Sequence, residues 1–135
     1  MLASGLPDNV ADEEFVVRFL TSDSQFNSQM VKPSGFMPGP RDGNTSVFRQ
    51  AAEPVQALWN TADRELGAER RAKAAAMLTA ESVRRVRLEV LAAEPPPCHA
   101  DITKWPEIAN DPEATKAQRK ELALLLVQVA TLYRR

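Results

Sequence analysis

His99 is the only histidine in this 135-residue chain, and an aspartate, Asp101, stands two residues beyond it. On an extended path, residues at i and i+2 project from the same face, so the imidazole and the carboxylate can share a surface. A carboxylate beside an imidazole holds its tautomer and raises its basicity, which general-base chemistry requires. Pro95, Pro96 and Pro97 precede the pair and impose an extended, polyproline-like approach that limits loop motion. His99 and Asp101 are therefore the candidate catalytic residues. The same segment also has a purely structural reading: Ile102 and Trp105 pin it to the core, His99 bonds a carbonyl and Asp101 caps a turn.

A second constellation lies upstream. Arg18 falls in the run Phe15-Val16-Val17-Arg18-Phe19-Leu20, and Ser46 and Arg49 fall in Thr45-Ser46-Val47-Phe48-Arg49. If the two runs pair as strands, two guanidinium forks and a hydroxyl become a candidate ligand site, since such forks bind phosphate or carboxylate in bidentate fashion. Asp12, Glu13 and Glu14 offer the competing outcome, arginines satisfied by the chain's own carboxylates.

Other chemistries fit less well. Cys98, His99 and Asp101 are suitable ligand types, but adjacent residues rarely converge on one ion, and zinc takes three or four protein ligands. With one His and one Cys in the chain, no metal and no cofactor are expected. A cysteine nucleophile is disfavoured too, because Cys98 has no imidazole partner but its own neighbour. The sequence contains no G-x-x-x-x-G-K, G-x-S-x-G or H-E-x-x-H motif.

Charge narrows the partners. Residues 1–67 carry 5 basic and 9 acidic side chains and residues 68–135 carry 12 and 9, giving −4 and +3. Nucleic-acid binding normally shows as a concentrated basic stripe. The clusters Arg70-Arg71-Lys73 and Arg84-Arg85-Arg87 lack interleaved aromatics and read as a solvated face, so nucleic acid is not expected as a partner. A lone Cys98 forms no internal disulfide, which points to a reducing compartment. The first residues show neither a basic region nor a 7–15-residue apolar core, so no signal peptide is expected. The longest apolar stretch, Leu122 to Tyr133, is twelve residues against the roughly twenty that span a bilayer. The expectation is a cytoplasmic protein with no membrane contact.

The elements that must position these residues follow from patterning. Residues 1–12 read as a flexible N-terminal arm and 13–135 as a single domain. Strands are expected at 14–20 and 45–49, separated by a long loop (21–44) that is anchored by Phe26, Met30, Val31, Phe36 and Met37. Pro54 suits a first helical position, Val55, Leu58, Trp59, Ala62 and Leu66 recur at helical spacing, and Gly67 supplies a stop. Residues 68–86 admit one basic helix, but Thr79 resembles an N-cap and the residues after it alternate. The preferred reading is strand 72–78, short helix 80–86 and strand 87–92. Asp111 as cap and Pro112 at the first position open a final helix to about Tyr133, with Arg134 and Arg135 complementing its negative end. Its second half is apolar nearly all round, which calls for burial or another chain.

The run Pro96-Pro97-Cys98-His99-Ala100-Asp101-Ile102 with Trp105-Pro106, ahead of a long closing helix, resembles small bacterial proteins without assigned activity. The resemblance covers at best the last third of the chain and implies a bacterial origin.

Together these readings predict an α+β fold, with a small mixed or antiparallel sheet of about four strands packed against two main helices, one of them a long apolar C-terminal helix. The leading functional expectation is a non-catalytic accessory protein that self-associates or binds a protein partner through Leu125, Val129, Leu132 and Trp105. Leu125→Asp is then expected to unfold the protein or render it insoluble. The alternative is a small enzyme or nucleotide/phosphate binder using His99, Asp101, Arg18, Ser46 and Arg49 on one cleft.

Overall fold

The computed structural model describes residues 2–50, 55–66 and 70–135; Pro54 and Gly67, the expected bounds of the first helix, lie outside the described residues, as does the side chain of Val55. Strands β1 (Phe15–Leu20), β2 (Thr45–Gln50), β3 (Ala74–Thr79), β4 (Glu89–Ala92), β5 (His99–Thr103) and β6 (Thr131–Arg134) form one sheet in the order β4-β5-β2-β1-β3-β6. Every neighbouring pair is antiparallel. Helices α1 (Val55–Leu66), α2 (Ala80–Arg85) and α3 (Pro112–Val129) complete the fold. The α+β class stands, with six strands where about four were expected.

Both extra strands have a physical reason. β5 lies in the segment after the prolines, where a proline-dense approach hides the alternation His99, Asp101, Thr103 against Ala100, Ile102. β6 replaces the last turn of the expected final helix. Ala130 donates the last helical bond to Leu126 and then turns extended, and Thr131 to Arg134 take up the edge of β3 in the register Met77↔Thr131 to Ala74↔Arg134. β-branched and aromatic residues suit a pleated edge. Arg135 therefore does not sit at a helix end; it makes a two-pronged ion pair with Asp63 and lies over the Trp59 ring.

Residues opposite one another on antiparallel strands share a face, so the registers sort the side chains into two sets. Val16, Leu20, Val47, Ala74, Ala76, Leu78, Val90, Ala100 and Ile102 line the first face, and with Phe36, Val83, Trp105, Ala123, Leu126 and Val127 they form the larger core. Val17, Phe19, Phe48 and Ala75 line the second face and pack with Leu58, Trp59 and Ala62 of α1. α2 and α3 thus cover the first face and α1 part of the second.

The final helix is less apolar than expected. Ala123, Leu126 and Val127 are buried, while Leu125 and Val129 are 43% and 51% exposed. This corrects the Leu125→Asp expectation, because the position that anchors α3 is Leu126. Asp111 caps α3 through the Ala114 amide, with Pro112 in the first turn, and Thr79 caps α2 through Ser82, both as the sequence implies.

The N-terminal arm lies along the β4 side of the sheet. Val10 is buried, and Ser4 meets Glu94 through both its amide and its hydroxyl. At the middle of the sheet, β1 and β2 pair at only three positions among the described residues, Phe15↔Gln50, Val16↔Arg49 and Val17↔Phe48, whereas β1 pairs β3 along all six.

Candidate functional site

The β2–β5 register sets Ser46 opposite Asp101 and Phe48 opposite His99. All four therefore point to the second face. Across the diagonal, Ser46 Oγ lies 2.6 Å from His99 Nε2. The other ring nitrogen, Nδ1, lies 2.8 Å from the Ala93 carbonyl oxygen. A carbonyl oxygen can only accept, so Nδ1 carries the proton and donates. In the neutral ring Nε2 is then an acceptor, and the Ser46 hydroxyl donates to it. This is the nucleophile–base–orienter sequence of covalent catalysis, with a backbone carbonyl as the third member.

Asp101 Oδ1 stands 3.6 Å from the same Nε2. It does not orient the ring through Nδ1, the role that the His–Asp spacing suggested. Its position suits a different one, electrostatic support for the imidazolium that forms when Nε2 takes a proton. Burial pushes the Asp101 carboxyl above the ordinary 3.8; His99 draws it back, the charge of Asp42 raises it further, and a hydrogen bond from Asn44 lowers it.

The ring is held from several sides. Phe48 meets His99 edge-on at 5.5 Å and Phe19 at 5.7 Å. The β4–β5 turn closes through Ala93 N to His99 O and His99 N to Pro96 O. Glu94, at the start of that turn, accepts from the Cys98 amide as well as from Ser4. The turn that presents the Ala93 carbonyl is thus bonded to the N-terminal arm. On the same face Leu91, opposite Asp101, is 54% exposed.

The two arginines do not join this group. Both begin on the first face. Arg49 is 4% exposed and meets Glu14 through Nε and Nη2, at 2.8 and 2.9 Å, and the carbonyls of Pro7 and Asn9. Arg18 donates from Nε to Gly35 O and from Nη1 to Ser46 O, both at 2.9 Å. The single cleft holding His99, Asp101, Arg18 and Arg49 is therefore not formed: an antiparallel strand sends Ser46 and Arg49, three residues apart, to opposite faces. Among the interaction candidates, Leu125 and Val129 are exposed, Leu132 packs against the edge of the larger core, and Trp105 is buried with Nε1 donating to Ile102 O. Trp105 anchors its own chain and is not a surface contact.

The Ala93 carbonyl escaped the sequence reading because backbone groups carry no sequence signature. The Ser46–His99 contact was within reach: it needed only the recognition that 99–103 alternates as a strand. The basic residues are partly engaged, with Arg84 on Asp12, Glu89 and Val10 O and Lys73 near Asp23. Among the described residues no group of three or more His, Cys, Asp or Glu is placed to hold a metal, and no helix is long and apolar enough to cross a membrane. A cavity of about 370 Å³ at the start of α3, lined by Met37, Ile108, Thr115, Lys116 and Arg119 among others, includes none of the site residues. No protein family, curated protein or solved structure matches the chain.

Proposed function

We propose that this chain is a small serine-nucleophile enzyme catalysing acyl transfer from an ester or a related carboxylic derivative. The observation that carries the reading is the 2.6 Å contact between Ser46 Oγ and an His99 Nε2 whose tautomer is set by Ala93 O. In the reaction Oγ attacks the acyl carbon, an Oγ–C bond forms, Nε2 takes the hydroxyl proton, and the carbonyl electron pair moves to oxygen. Collapse breaks the bond to the leaving alkoxide, which takes the proton back from Nε2. Water then repeats the sequence to release the acid. Asp101 stabilises the transient imidazolium.

The test is labelling with a fluorophosphonate, which forms Oγ–P and breaks P–F. One adduct on Ser46, located by tandem mass spectrometry and lost in Ser46→Ala and His99→Asn, is the expected result. An absent adduct, or labelling unaffected in folded His99→Asn, overturns the reading.

A second reading is favoured by the exposed apolar side chains of α3, Leu125 and Val129, which stand four residues apart on one face: a non-catalytic accessory protein that self-associates there. Molar mass rising with concentration and falling to monomer in Leu125→Asp/Val129→Asp supports it; a constant monomer mass ends it. In either case the single Cys98 favours the cytoplasm as the setting.

A further inference from the structure

Glu94 follows Ala93, and its carboxylate accepts three hydrogen bonds. Oε1 takes the Ser4 amide at 3.1 Å, while Oε2 takes the Ser4 hydroxyl at 2.5 Å and the Cys98 amide at 3.1 Å. Cys98 in turn precedes His99. The carboxylate therefore links the two residues that adjoin the Ala93–His99 pair. There the backbone bond from Ala93 N to His99 O, at 2.9 Å, runs beside the 2.8 Å side-chain bond from Nδ1 to Ala93 O. An ionised acceptor makes stronger bonds than a neutral one, so this clamp is the firm part of the turn. A small displacement of the turn breaks the Nδ1 bond and frees the ring to carry its proton on Nε2, where the Ser46 hydroxyl finds no acceptor.

The other side of the clamp is a closed turn. Leu2 N donates to Leu6 O, Gly5 N to Leu2 O, and Leu6 N to the Ser4 hydroxyl. Gly5 sits at φ +87°, which favours glycine. This turn presents the Ser4 amide and hydroxyl together to one carboxylate. Downstream, Arg49 holds the carbonyls of Pro7 and Asn9, which anchors the arm and leaves residues 2–6 as the part that docks. A cavity of about 330 Å³, lined by Leu2, Ala3, Pro95 and Pro97 beside Glu94, lies at the contact. Polar bonds rather than close apolar packing thus hold the turn in place, and such a contact is releasable.

We infer that Glu94 is the positioning residue of the Ser46–His99 pair, and that docking of residues 2–6 on it sets the reactivity of Ser46. Docked, the arm steadies the turn, Ala93 O holds the proton on Nδ1, and Nε2 stays open to accept from Ser46. Undocked, the turn loses two of the three bonds on Glu94 and the ring loses its fixed tautomer. The control of reactivity rests on the reading of Ser46 as nucleophile; the control of the tautomer does not.

His99 is the only histidine, so proton–nitrogen NMR correlations of its ring report the tautomer directly. They are recorded on the full chain near pH 8.5, about two units above the usual imidazole value, beside the rate of fluorophosphonate labelling. Wild type is expected to carry the proton on Nδ1. In Glu94→Ala, and in Ser4→Asp, which sets carboxylate against carboxylate, the proton is expected to move toward Nε2. Labelling of Ser46 is expected to slow about tenfold in both, a part of the roughly 10²–10⁴ that a positioned base supplies. Ser4→Thr keeps the hydroxyl and Glu94→Gln keeps an acceptor for Cys98, and both are expected to retain the wild-type tautomer. If Glu94→Ala does not fold, Ser4→Asp, on the partly exposed arm, carries the comparison. An unchanged tautomer in the folded variants overturns the positioning role, and continued labelling then leaves the nucleophile standing. A shift in Glu94→Ala alone overturns the part given to the arm. A shift in both, with no label taken even by wild type, overturns the nucleophile and the control of its reactivity, and leaves Glu94 as the support of the ring.

Discussion

On the first face of the sheet Arg49 commits its donors to Glu14, Pro7 and Asn9, and Thr45 donates to Phe36 O. On the second face Ser46 and His99 satisfy each other beside Asp101. Thr45, Ser46 and Arg49 all come from β2, and Thr45 and Ser46 are adjacent. What differs is what lies above them. Loops and the N-terminal arm cover the first face, so a polar side chain there must bond to covering backbone and becomes a clamp. Exposed Ser46 has no such cover, so its hydroxyl remains available to a molecule from outside. Burial converts polar groups into fastenings; exposure leaves them as reagents.

Substitutions on the two faces should accordingly separate stability from chemistry. The largest effect is expected at the packed core of the first face, where Leu126→Ala removes a fully buried side chain and costs about 3 kcal/mol in urea denaturation, while Leu125→Ala stays within about 0.5 kcal/mol. Equal effects would mean that the helix is seated on its other side. Arg49→Ala comes next. It strands Glu14 and two arm carbonyls, and costs about 2–3 kcal/mol, below the range for a fully buried pair because the Glu14 side chain is 24% exposed.

On the second face, Ser46→Ala and His99→Asn should change stability by only about 1 kcal/mol, yet abolish organophosphorus labelling. Unfolding of these variants would place them with the clamps. The smallest effects concern pH, and the two faces have opposite signs. For Glu14, burial is the largest single influence and raises the carboxyl, but Arg49 hydrogen bonding, the Ala11 amide and the charges of Arg49 and Arg84 outweigh it, so the net shift is downward from 4.5. Its contribution is present above the ordinary value and is lost as pH falls through the folded one. Asp101 is raised above 3.8, first by burial, so its contribution is full below that value and is lost as pH rises through the folded one. Asp101→Asn should therefore be slightly more stable than wild type at pH 7 and indistinguishable at pH 3, read by thermal melts; greater stability of wild type at pH 7 would reverse the assignment.

These contrasts also explain what was legible beforehand. Phe15–Leu20 and Thr45–Gln50 announce themselves by β-branched and aromatic content, and Thr79, Asp111 and Pro112 by capping chemistry, because each signal is local. Strand His99–Thr103 was masked by the prolines before it. Strand Thr131–Arg134 was masked by the apolar helix that runs into it, where the decisive partner is the distant edge of Ala74–Met77. The site divides in the same manner. His99 and Asp101 stood out by type and spacing. Their pairing with Ser46, 53 residues away, depends on register between strands, as does the separation of Ser46 from Arg49. Neither can be read without knowing which strands are neighbours.

The short junction between β1 and β2 has a mechanical consequence. Among the described residues the β1–β2 ladder has three paired positions against six between β1 and β3, and the Arg18 side chain bonds across it to Ser46 O. Amides along this seam should exchange with deuterium sooner than those between β1 and β3.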